Sequence, residues 1–474
     1  MPEIIAVILA GGKGQRMGSV LPKVLHPVCG RPMIEYPITA VTSAGAGKIC
    51  IVTSKEKSNP VAQYLKNKPK VKLAYQSAPL GTAHAVQSAT LHFKNFKGYV
   101  FILYGDAPLI RAETLKKFFA EVKKSDATLG FITADLENPT GYGRVFRQMG
   151  QVTRVVEEKE LTSEEKQIKE SNVGFYCVKA DWLFKILKEF KPHPVTKEYY
   201  LTDIIEFAVN EGKKIVGFKG EDGSEFFGAN DRNQLSSIEE LMRKRFTHQW
   251  MASGVTFVDP KQVYLDADVT FGTETIVHPQ VYLRGKTRIG KNCIIECGAV
   301  LTDMVVGDHV HINPYCVLES STLEKDVQVG PFARIRPDSH VGAGARIGNF
   351  VELKKTRLGS KAKANHLTYL GDAHVGAETN VGCGTITCNY DGAKKHPTKI
   401  GKKVFVGSDV QFIAPVTVGD GAFIAAGSTI TENVPSKSLA IARGRQVNKK
   451  NWIRKRTMDH GLGTIDRKHK KKGR

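Results

Sequence analysis

The sequence has no apolar stretch long enough to cross a membrane. Its longest apolar run, Ile4–Ala10, ends at Gly11 and Gly12, whereas a membrane-spanning helix needs about 20 residues. No Lys or Arg precedes that run, so it also lacks the basic start of a secretion signal. Both absences argue against a membrane or secreted class, and we expect a cytoplasmic protein without a membrane partner.

Cysteine pairs at metal-binding spacing are also missing. The eight cysteines are scattered and no Cys-x2-Cys pair occurs, which excludes the spacing of a zinc ribbon. A cytoplasmic protein keeps its thiols reduced. We therefore expect buried, unpaired thiols at Cys29, Cys50, Cys177, Cys293, Cys297, Cys316, Cys383 and Cys388.

Acidic residues are scarce relative to basic ones, and the imbalance is uneven. The chain has 69 Lys and Arg against 47 Asp and Glu, a formal net charge of +22. Half of that excess lies in Arg443–Arg474, where 13 basic residues face only Asp459 and Asp466. Such a run fits a solvated tail, or attraction to polyanions or phosphorylated substrates. Because no aromatic residues alternate with the basic ones after Trp452, we do not expect a nucleic-acid partner.

Residues 1–232 alternate short apolar runs with longer amphipathic stretches. Helical patterns at Thr82–His92 and Arg111–Lys124 lie between apolar runs, and strands that alternate with helices predict a parallel, Rossmann-like α/β sheet. Ligands of such sheets bind at the carboxyl ends of the strands. The predicted strands are Ile4–Leu9, Lys48–Thr53, Lys72–Tyr75, Tyr99–Leu103 and Leu129–Ala134.

Residues 233–253 form a predicted linker helix, since Leu235, Ile238, Met242 and Phe246 recur at helical spacing. From 254 to 450 the period becomes six. Aliphatic residues at this spacing, often followed by Gly, predict a hexapeptide-repeat, left-handed parallel β-helix of about eight coils. The residues of one such series are Ile400, Val406, Phe412, Val418, Ile424 and Ile430. The period breaks at Leu353–Leu370 and Cys388–Lys399, where we expect loops, and residues 451–474 form the basic tail.

A glycine-rich turn, residues 9–17, follows the first predicted strand. Glycines allow backbone N–H groups to approach a phosphate, and Arg16 and Lys23 supply positive charge. The dinucleotide pattern fails because Gly18 comes one residue late, and no Walker A motif occurs. By itself the turn is weak evidence for a phosphate site.

The longer pattern L-A-G-G-x-G-x-R-M, followed by Leu21-Pro22-Lys23, resembles the signature of sugar-phosphate nucleotidyltransferases. Gln76, together with residues 80–83, is similar to their base-recognition segment. Asp106 closes a predicted strand within residues 104–109, where a carboxylate facing a triphosphate could bind Mg²⁺. Because the attacking sugar phosphate is already anionic, the reaction needs positioning and charge neutralisation but no general base.

From Ile4 to about Trp452 the chain resembles the bifunctional bacterial enzymes that make UDP-N-acetylglucosamine. In that family a uridylyltransferase, which uses UTP and N-acetylglucosamine 1-phosphate, is fused to an acetyltransferase. The resemblance implies Mg²⁺ as the cofactor, held by Asp106 and Asn230. It also implies nucleotide or sugar contacts at Leu9, Ala10, Gly11, Gly12, Arg16, Lys23, Gln76, Gly81, Thr82, Tyr104, Gly105, Asp106, Gly143, Glu157, Asn172 and Asn230.

The second reaction of the family transfers acetyl from acetyl-CoA to glucosamine 1-phosphate. Removal of the amine proton suits a histidine near neutral pH, and the resemblance assigns that role to His366. It implies sugar-phosphate contacts at Arg336, Lys354, Tyr369 and Asn380. It implies acetyl-CoA contacts at Cys383, where Ala is usual, and at Asn389, Tyr390, Ser408, Ala426 and Arg443.

Two other functions remain open at this point. One is a nucleotidyltransferase for another sugar phosphate that carries its β-helix only as a shaft. The other is a non-enzymatic regulatory protein with the same architecture. A nucleotidyltransferase whose β-helix is only a shaft would have no use for Arg336, Lys354 and His366. A regulatory protein would have no use for Arg16, Lys23 and Asp106. The flat sides of the β-helix and the resemblance together favour a homotrimer.

Overall fold

A computed structural model describes residues 3–12, 14–55, 59–93, 95–194 and 196–453 of the 474-residue chain. The chain forms two compact units, of which the first ends at Ser320 and the second begins at Ser321. Most of the predicted basic tail, residues 454–474, lies outside the described residues. None of the described helices combines the length and the apolar character that crossing a bilayer requires.

The first unit begins with an α/β domain, and its strands and helices alternate as predicted. The strands are β1 (Ile4–Leu9), β2 (Pro27–Val28), β3 (Arg31–Pro32), β4 (Ala46–Ser54), β5 (Val71–Gln76), β6 (Tyr99–Tyr104), β7 (Leu129–Asp135), β8 (Gly143–Gln148), β9 (Gln151–Val156), β10 (Glu170–Lys179) and β11 (Ile215–Lys219). The helices are α1 (Glu35–Ser43), α2 (Pro60–Leu65), α3 (Thr82–Ala89), α4 (Ala112–Lys124), α5 (Ala180–Ile186), α6 (Asp203–Asn210) and α7 (Arg232–Ala252).

The main sheet has the order β11-β7-β10-β6-β1-β4-β5. Strands β6, β1, β4 and β5 run parallel, and every residue of β1 is buried, because helices cover both faces of the sheet. The five predicted strands are confirmed to within two residues at each end. The sequence missed β10, which runs antiparallel to β6 and β7, and the β8–β9 hairpin beside it.

The helix predicted from the spacing within residues 233–253 is present as α7. The Asp231 side chain caps its start by accepting a hydrogen bond from the Gln234 N–H at 2.9 Å. Its apolar residues Ile238 and Met242 are buried in a small core with Met33 and Leu109 of the α/β domain. The helix is therefore packed against the domain that it follows.

The first unit continues into the start of the β-helix. Its strands pair in parallel with the strands one coil further along, and the first pairing joins Thr256 to Ile276. The strands are β12 (Thr256–Phe257), β13 (Tyr264–Leu265), β14 (Thr270–Phe271), β15 (Ile276–Val277), β16 (Tyr282–Arg284), β17 (Arg288–Ile289), β18 (Ile294–Ile295), β19 (Val300–Thr302), β20 (Val305–Val306), β21 (His311–Ile312) and β22 (Val317–Glu319).

The second unit is a parallel β-helix of the same kind. Its repeated aliphatic residues point inward and are buried, as predicted. Its strands are β23 (Thr322–Leu323), β24 (Gln328–Val329), β25 (Arg334–Ile335), β26 (His340–Val341), β27 (Arg346–Lys354), β28 (Arg357–Leu358), β29 (Lys363–Gly371), β30 (Ala373–Val375), β31 (Asn380–Val381), β32 (Ile386–Cys388), β33 (Thr398–Ile400), β34 (Phe405–Val406), β35 (Gln411–Ile413), β36 (Val416–Val418), β37 (Phe423–Ile424), β38 (Thr429–Ile430) and β39 (Leu439–Ala440). The predicted fold class, an α/β domain followed by a parallel β-helix, is confirmed.

One of the two predicted loops is wrong. At Leu353–Leu370 the chain stays in the coil as β27, β28 and β29, and Arg346 pairs with Lys363, one residue short of three hexads. The period shifts because a corner loses a residue. The second prediction is confirmed, since residues 389–397 leave the coil between β32 and β33 and form a turn closed by the Tyr390–Lys395 bridge.

The tight stacking of coils at Gly376 predicts a large cost for any side chain there. A Cβ on Gly376 would lie 2.5 Å from the backbone of Gly401. Gly376→Ala should therefore destabilise the β-helix by about 3 kcal/mol through overpacking, measured as a lower midpoint of its unfolding transition in the full chain. Gly444→Ala is the matched control, because no atom lies within 4 Å of that position. Equal midpoints for the two variants would contradict this packing.

Candidate active sites

The glycine-rich turn lies at the carboxyl end of β1, in the middle of the sheet. The Ala10 N–H donates to the Val52 carbonyl at 2.8 Å, and the Gly105 N–H donates to the Leu9 carbonyl at 2.9 Å. The turn is thereby anchored to the strands on both sides of β1. Gly14 has φ 59° and a Cβ there would lie 2.8 Å from the Lys23 Cβ, so only glycine lets Lys23 pack this close.

A cavity of about 410 Å³ opens above this turn. On its far wall the Gln76 side-chain amide donates to the Gly81 carbonyl at 3.0 Å. Gly81 has φ 102°, and a Cβ there would lie 2.5 Å from the Tyr199 carbonyl oxygen. The Thr82 hydroxyl accepts from the Leu201 N–H at 2.9 Å. The wall is therefore a rigid frame that presents amide groups, which suits recognition of a planar base.

Three side chains from distant parts of the sequence meet at the floor of this cavity. The Lys23 ammonium forms an ion pair with Asp106 and donates to the Asn230 side-chain oxygen at 3.0 Å. The Lys23 and Asp106 side chains are 14% and 16% exposed. The Ala229 N–H donates to the Asp106 carbonyl at 3.0 Å, which fixes Asn230 next to the carboxylate.

The Asp106–Asn230 pair fits a magnesium ion. A carboxylate oxygen and an amide oxygen already converge on one cation, the Lys23 ammonium. Among the described residues no group of three or more His, Cys, Asp and Glu could hold a metal. That result is compatible with Mg²⁺, which is commonly bound through one or two carboxylates while substrate phosphates and water complete its shell.

A second cavity, of about 510 Å³, shares Tyr104, Asp106 and Asn230 with the first. Burial raises the pKa of the Tyr104 hydroxyl well above its usual value, and the Glu157 and Asp106 carboxylates raise it further. Tyr104 therefore stays neutral between two anions. The Asn172 amide, which donates to the Tyr176 hydroxyl at 2.8 Å, lies in the wall of the second cavity.

The structure brings together nearly all the residues that the resemblance assigns to the first half. Gly105 lines neither cavity, because its backbone is used to hold the turn. The first cavity is lined by the predicted Leu9, Ala10, Gly11, Gly12, Lys23, Gln76, Gly81, Thr82, Tyr104, Asp106 and Asn230. The second cavity is lined by the predicted Arg16, Gly143, Glu157 and Asn172, besides the three shared residues.

Several lining residues were missed. Glu198 and Tyr200 line the first cavity, and Tyr142 and Thr202 line the second. Three of these lie in the segment 198–203. What the sequence did not show is that this segment folds over Gly81 and closes the base-binding side.

In the second unit, His366 lies at one corner of the coil. Its Nδ1 is 2.9 Å from the Asn349 side-chain oxygen, and the two residues pair across β27 and β29. A side-chain oxygen can only accept, so Nδ1 carries the proton and Nε2 keeps a free lone pair. His366 is exposed, and its ring is oriented with that lone pair available.

Four of the predicted acetyl-CoA residues continue upward from His366 along the same corner. The Gly384 N–H donates to the Leu367 carbonyl at 3.0 Å, and the Asp409 N–H donates to the Cys383 carbonyl. The Gly427 N–H donates to the Ser408 carbonyl. Arg443 closes the series, since its guanidinium donates to the Ala426 carbonyl at 2.7 Å. We name this series the corner column; its residues are His366, Cys383, Ser408, Ala426 and Arg443.

Two of the predicted sugar-phosphate residues, Arg336 and Lys354, lie at the next corner of the coil. Arg336 forms an ion pair with Glu352 at 3.0 Å. The Lys354 ammonium is 3.9 Å from Asp372, and its pKa is lowered, chiefly by the neighbouring Lys395 amine and then by burial. The corner is therefore crowded with positive charge, which an anion would neutralise.

Asn389, predicted for acetyl-CoA, lies at this second corner, where its amide donates to Asp372 at 2.5 Å. Lys395 was missed, because nothing in the sequence shows that the loop 389–397 folds back over Lys354. Tyr390 is exposed in the same loop, and its hydroxyl donates to the Gly392 carbonyl at 2.5 Å. Asn380 lies on a different side of the coil, where it pairs with Lys363 and Phe405.

Tyr369 lies on β29, which joins the two corners, and it pairs with Glu352 and Ile386 of the neighbouring coils. Its hydroxyl covers Gly371, where any Cβ would collide with it. Five residues of extended strand separate the two corners of one coil, which places the corners about 17 Å apart. A sugar phosphate lying over Tyr369 could therefore reach groups at both corners.

Comparison with known proteins assigns residues 5–251 to the nucleotidyl transferase family. Residues 320–355 and 397–432 match the bacterial transferase hexapeptide, a family of six repeats. The bifunctional protein GlmU of Pelobacter propionicus is 45% identical over 95% of this chain and 98% of its own. That of Trichlorobacter lovleyi is 46% identical over 95% and 98%, and that of Shouchella clausii is 44% identical over 95% and 98%.

The similarity to these proteins runs through both transferase families and nearly the whole length of each chain. It therefore covers the two cavities of the first unit and both corners of the second. The eight cysteines are free, and five of them are buried as expected, whereas Cys297, Cys383 and Cys388 are partly exposed. On this evidence the chain belongs to the GlmU family of bifunctional transferases, with a uridylyltransferase half and an acetyltransferase half.

Proposed function

We propose that this protein makes UDP-N-acetylglucosamine in two transfer reactions, and that each reaction uses one of the two sets of residues described above. The β-helix acetylates glucosamine 1-phosphate, and the α/β domain then joins the product to UTP with release of pyrophosphate. The observation that carries this proposal is the presence of two separate sets of groups. Lys23, Asp106 and Asn230 suit phosphoryl chemistry, while His366 and Lys354 suit acyl transfer to an amine that carries a phosphate.

In the acetyl transfer, the sugar phosphate lies over Tyr369. Its phosphate interacts with Arg336 and Lys354, since paired cations suit a dianion. Its amino group points toward His366, whose Nε2 accepts the ammonium proton. The free amine attacks the thioester carbon and the carbon–sulfur bond breaks. The nitrogen loses its second proton and the sulfur gains one, so that the amide forms and CoA leaves as the thiol. The corner column binds acetyl-CoA along the coil, with Arg443 near its phosphates.

In the uridylyl transfer, the base lies against Gln76 and Gly81 and the triphosphate follows the glycine-rich turn. The N-acetylglucosamine 1-phosphate lies in the second cavity, near Glu157 and Asn172. A phosphate oxygen attacks the α-phosphorus, and pyrophosphate leaves in line. Both cavities meet at Asp106 and Asn230, where the reacting phosphates must meet as well.

Two cations of the chain serve this reaction directly. Arg16 and Lys23 neutralise the phosphates. Lys23 does so from a largely buried position, since its side chain is 14% exposed. Asp106 and Asn230 would hold Mg²⁺, which when bound neutralises charge on the triphosphate and the leaving pyrophosphate. Lys23 now lies between those two oxygens, so it would turn toward the phosphates when the metal binds.

The position of Asn380 supports a homotrimer. In one chain Asn380 lies on another side of the coil from Tyr369 and Lys354, so we infer that a neighbouring copy brings its own Asn380 to the sugar. Phe405 and Phe423 are exposed on the same side as Asn380, and their rings stack with centroids 4.5 Å apart. The neighbouring copy would cover these rings. Because UTP and acetyl-CoA are its co-substrates, we place the enzyme in the cytoplasm.

The two activities should be separable by mutation. His366→Ala removes the proton acceptor and should lower acetyl transfer by about 10²–10⁴-fold, followed as CoA thiol released from glucosamine 1-phosphate and acetyl-CoA. Pyrophosphate release from UTP and N-acetylglucosamine 1-phosphate should be unchanged. His374→Ala, on the exposed side of β30, is the matched control and should keep both activities. Equal loss of both activities in His366→Ala would rule out the two-site mechanism.

Asp106→Ala should give the opposite pattern. Loss of the carboxylate removes a metal ligand and frees Lys23 from its ion pair, so pyrophosphate release should fall by about 100-fold or more. Thiol release should be unaffected. Asp135→Ala, an exposed carboxylate at the end of β7, serves as control. Undiminished Mg²⁺-dependent pyrophosphate release by Asp106→Ala would remove Asp106 from the metal site.

The trimer can be tested by sedimentation of the purified chain. We expect a species of about three times the 52.1 kDa chain mass. The same fractions should carry the acetyl-transfer activity. A 52.1 kDa species that releases CoA thiol at the full rate would show that one chain alone completes the acetyl site.

A further inference from the structure

His84, on helix α3, contacts the base-binding wall without lining the cavity. It belongs to the lining of neither cavity of the first unit, and the mechanism above does not use it. Its ring Nδ1 lies 3.0 Å from the side-chain nitrogen of Gln76. Gln76 ends β5, is 9% exposed and lines the first cavity. His84 is therefore in direct contact with a side chain that faces the base.

Two contacts fix the direction in which the Gln76 amide points. A carbonyl oxygen only accepts hydrogen bonds, so the atom that lies 3.0 Å from the Gly81 carbonyl must be the amide nitrogen. The second hydrogen of that nitrogen is donated to His84 Nδ1. Nδ1 accepts it through its lone pair, so the ring proton is on Nε2. A reversed amide would lose both hydrogen bonds and place its oxygen against the Gly81 carbonyl.

The side-chain oxygen of Gln76 is left for the ligand. It lies beside Gly11, where an ideal Cβ would be 3.4 Å from it, and Gly11 lines the same cavity. Among the described residues, the hydrogen bonds of the Gln76 side chain use only its nitrogen. Because both amide hydrogens are already donated, Gln76 offers the base one acceptor and no donor.

A single fixed acceptor distinguishes uracil from cytosine. The ring nitrogen N3 of uracil carries a hydrogen, which can be donated to the Gln76 oxygen. N3 of cytosine is itself an acceptor and would face a second acceptor. A site built to form a hydrogen bond rejects an analogue that cannot form it. Without His84, one hydrogen of the Gln76 amide would be free to be donated to cytosine, and this rejection would weaken.

Helix α3 holds His84 in place beside the amide. A later segment of the chain fixes the first turn of the helix at two points. The Ala83 N–H donates to the Tyr199 carbonyl at 3.0 Å, and the Thr82 hydroxyl accepts from the Leu201 N–H at 2.9 Å. The centroids of the His84 and Tyr199 rings are 6.3 Å apart. The helix cannot move along β5 without breaking these bonds, so the imidazole stays within reach of the amide.

We propose that His84 is a positioning residue, which sets the preference of the first unit for uracil over cytosine by accepting a hydrogen bond from Gln76. This role deepens the proposed function, because it rests on the binding of UTP at this wall. It does not depend on the transfer reaction itself. Nucleotide binding and pyrophosphate release are therefore measured separately.

Calorimetric titration of the full-length enzyme with UTP and with CTP, each in the presence of Mg²⁺, gives the ratio of the two Kd values. Wild type should bind UTP more tightly. His84→Leu removes the acceptor and should narrow the ratio by about tenfold, the effect of one lost hydrogen bond. His84→Asn should restore most of the ratio, because its side-chain oxygen can accept in place of Nδ1. Gln87→Leu, at an exposed position of the same helix, is the matched control and should bind as wild type does.

The ratio separates positioning from damage to the wall, because damage would weaken the binding of both nucleotides alike. An unchanged ratio in His84→Leu, with or without weaker binding, would overturn the proposal. Equal Kd values for UTP and CTP in wild type would overturn it as well. His84→Ala removes the same acceptor without the added apolar volume, and it decides the question if His84→Leu does not fold.

Pyrophosphate release distinguishes this role from the proposed reaction. With N-acetylglucosamine 1-phosphate, His84→Leu should raise the KM for UTP by up to about tenfold and leave kcat nearly unchanged, because His84 does not contact the reacting phosphates. A loss of kcat at unchanged KM would contradict the positioning role. Selective binding of UTP by a wild type that releases no pyrophosphate would refute the proposed transfer and leave the role of His84 standing.

Discussion

The ion pair between Lys23 and Asp106, with Asn230 on the same ammonium, is the contact on which the first unit's chemistry depends. It joins the turn after β1, the end of β6 and the residue before the α7 cap, three segments that only the parallel order of the sheet brings together. Both cavities open from it. In the mechanism that we propose, a metal ion takes the place of the Lys23 ammonium between these two oxygens.

In the β-helix the corresponding constraint is geometric. Each coil must close after about three hexads, so residues far apart in sequence occupy equivalent corners. One short coil separates His366 from Cys383, and a coil that contains the 389–397 loop separates Cys383 from Ser408. All three residues nevertheless lie in the corner column. A site of this kind is built by stacking, and each coil contributes one residue to each corner.

The sequence predicted the fold because its signals were repetitive or local. Buried parallel strands show as apolar runs, and an aliphatic residue every six positions has few explanations other than a β-helix. The sequence did not predict β10, because the antiparallel pairing of that strand depends on tertiary contacts. It also did not predict that the chain stays in the coil near Leu358. For the sites, the resemblance supplied residues, and the structure added their partners. The contacts of Lys395 with Lys354 and of Tyr199 with Gly81 could not be predicted from residue spacing. In each case one partner belongs to a segment that folds back from another part of the chain.

Departures from the hexad rhythm at the corners leave the stacking of the coil intact. A corner that loses one residue, as between Arg346 and Lys363, leaves the stacking of the strands intact, and the 389–397 loop adds residues with equally little effect on the coils on either side of it. The number of residues at a corner can therefore vary with little effect on the fold. The number of residues in a strand cannot vary, because a one-residue slip would turn every inward side chain outward. New specificity in this fold can therefore arise by insertion at a corner, with the scaffold beneath it unaltered.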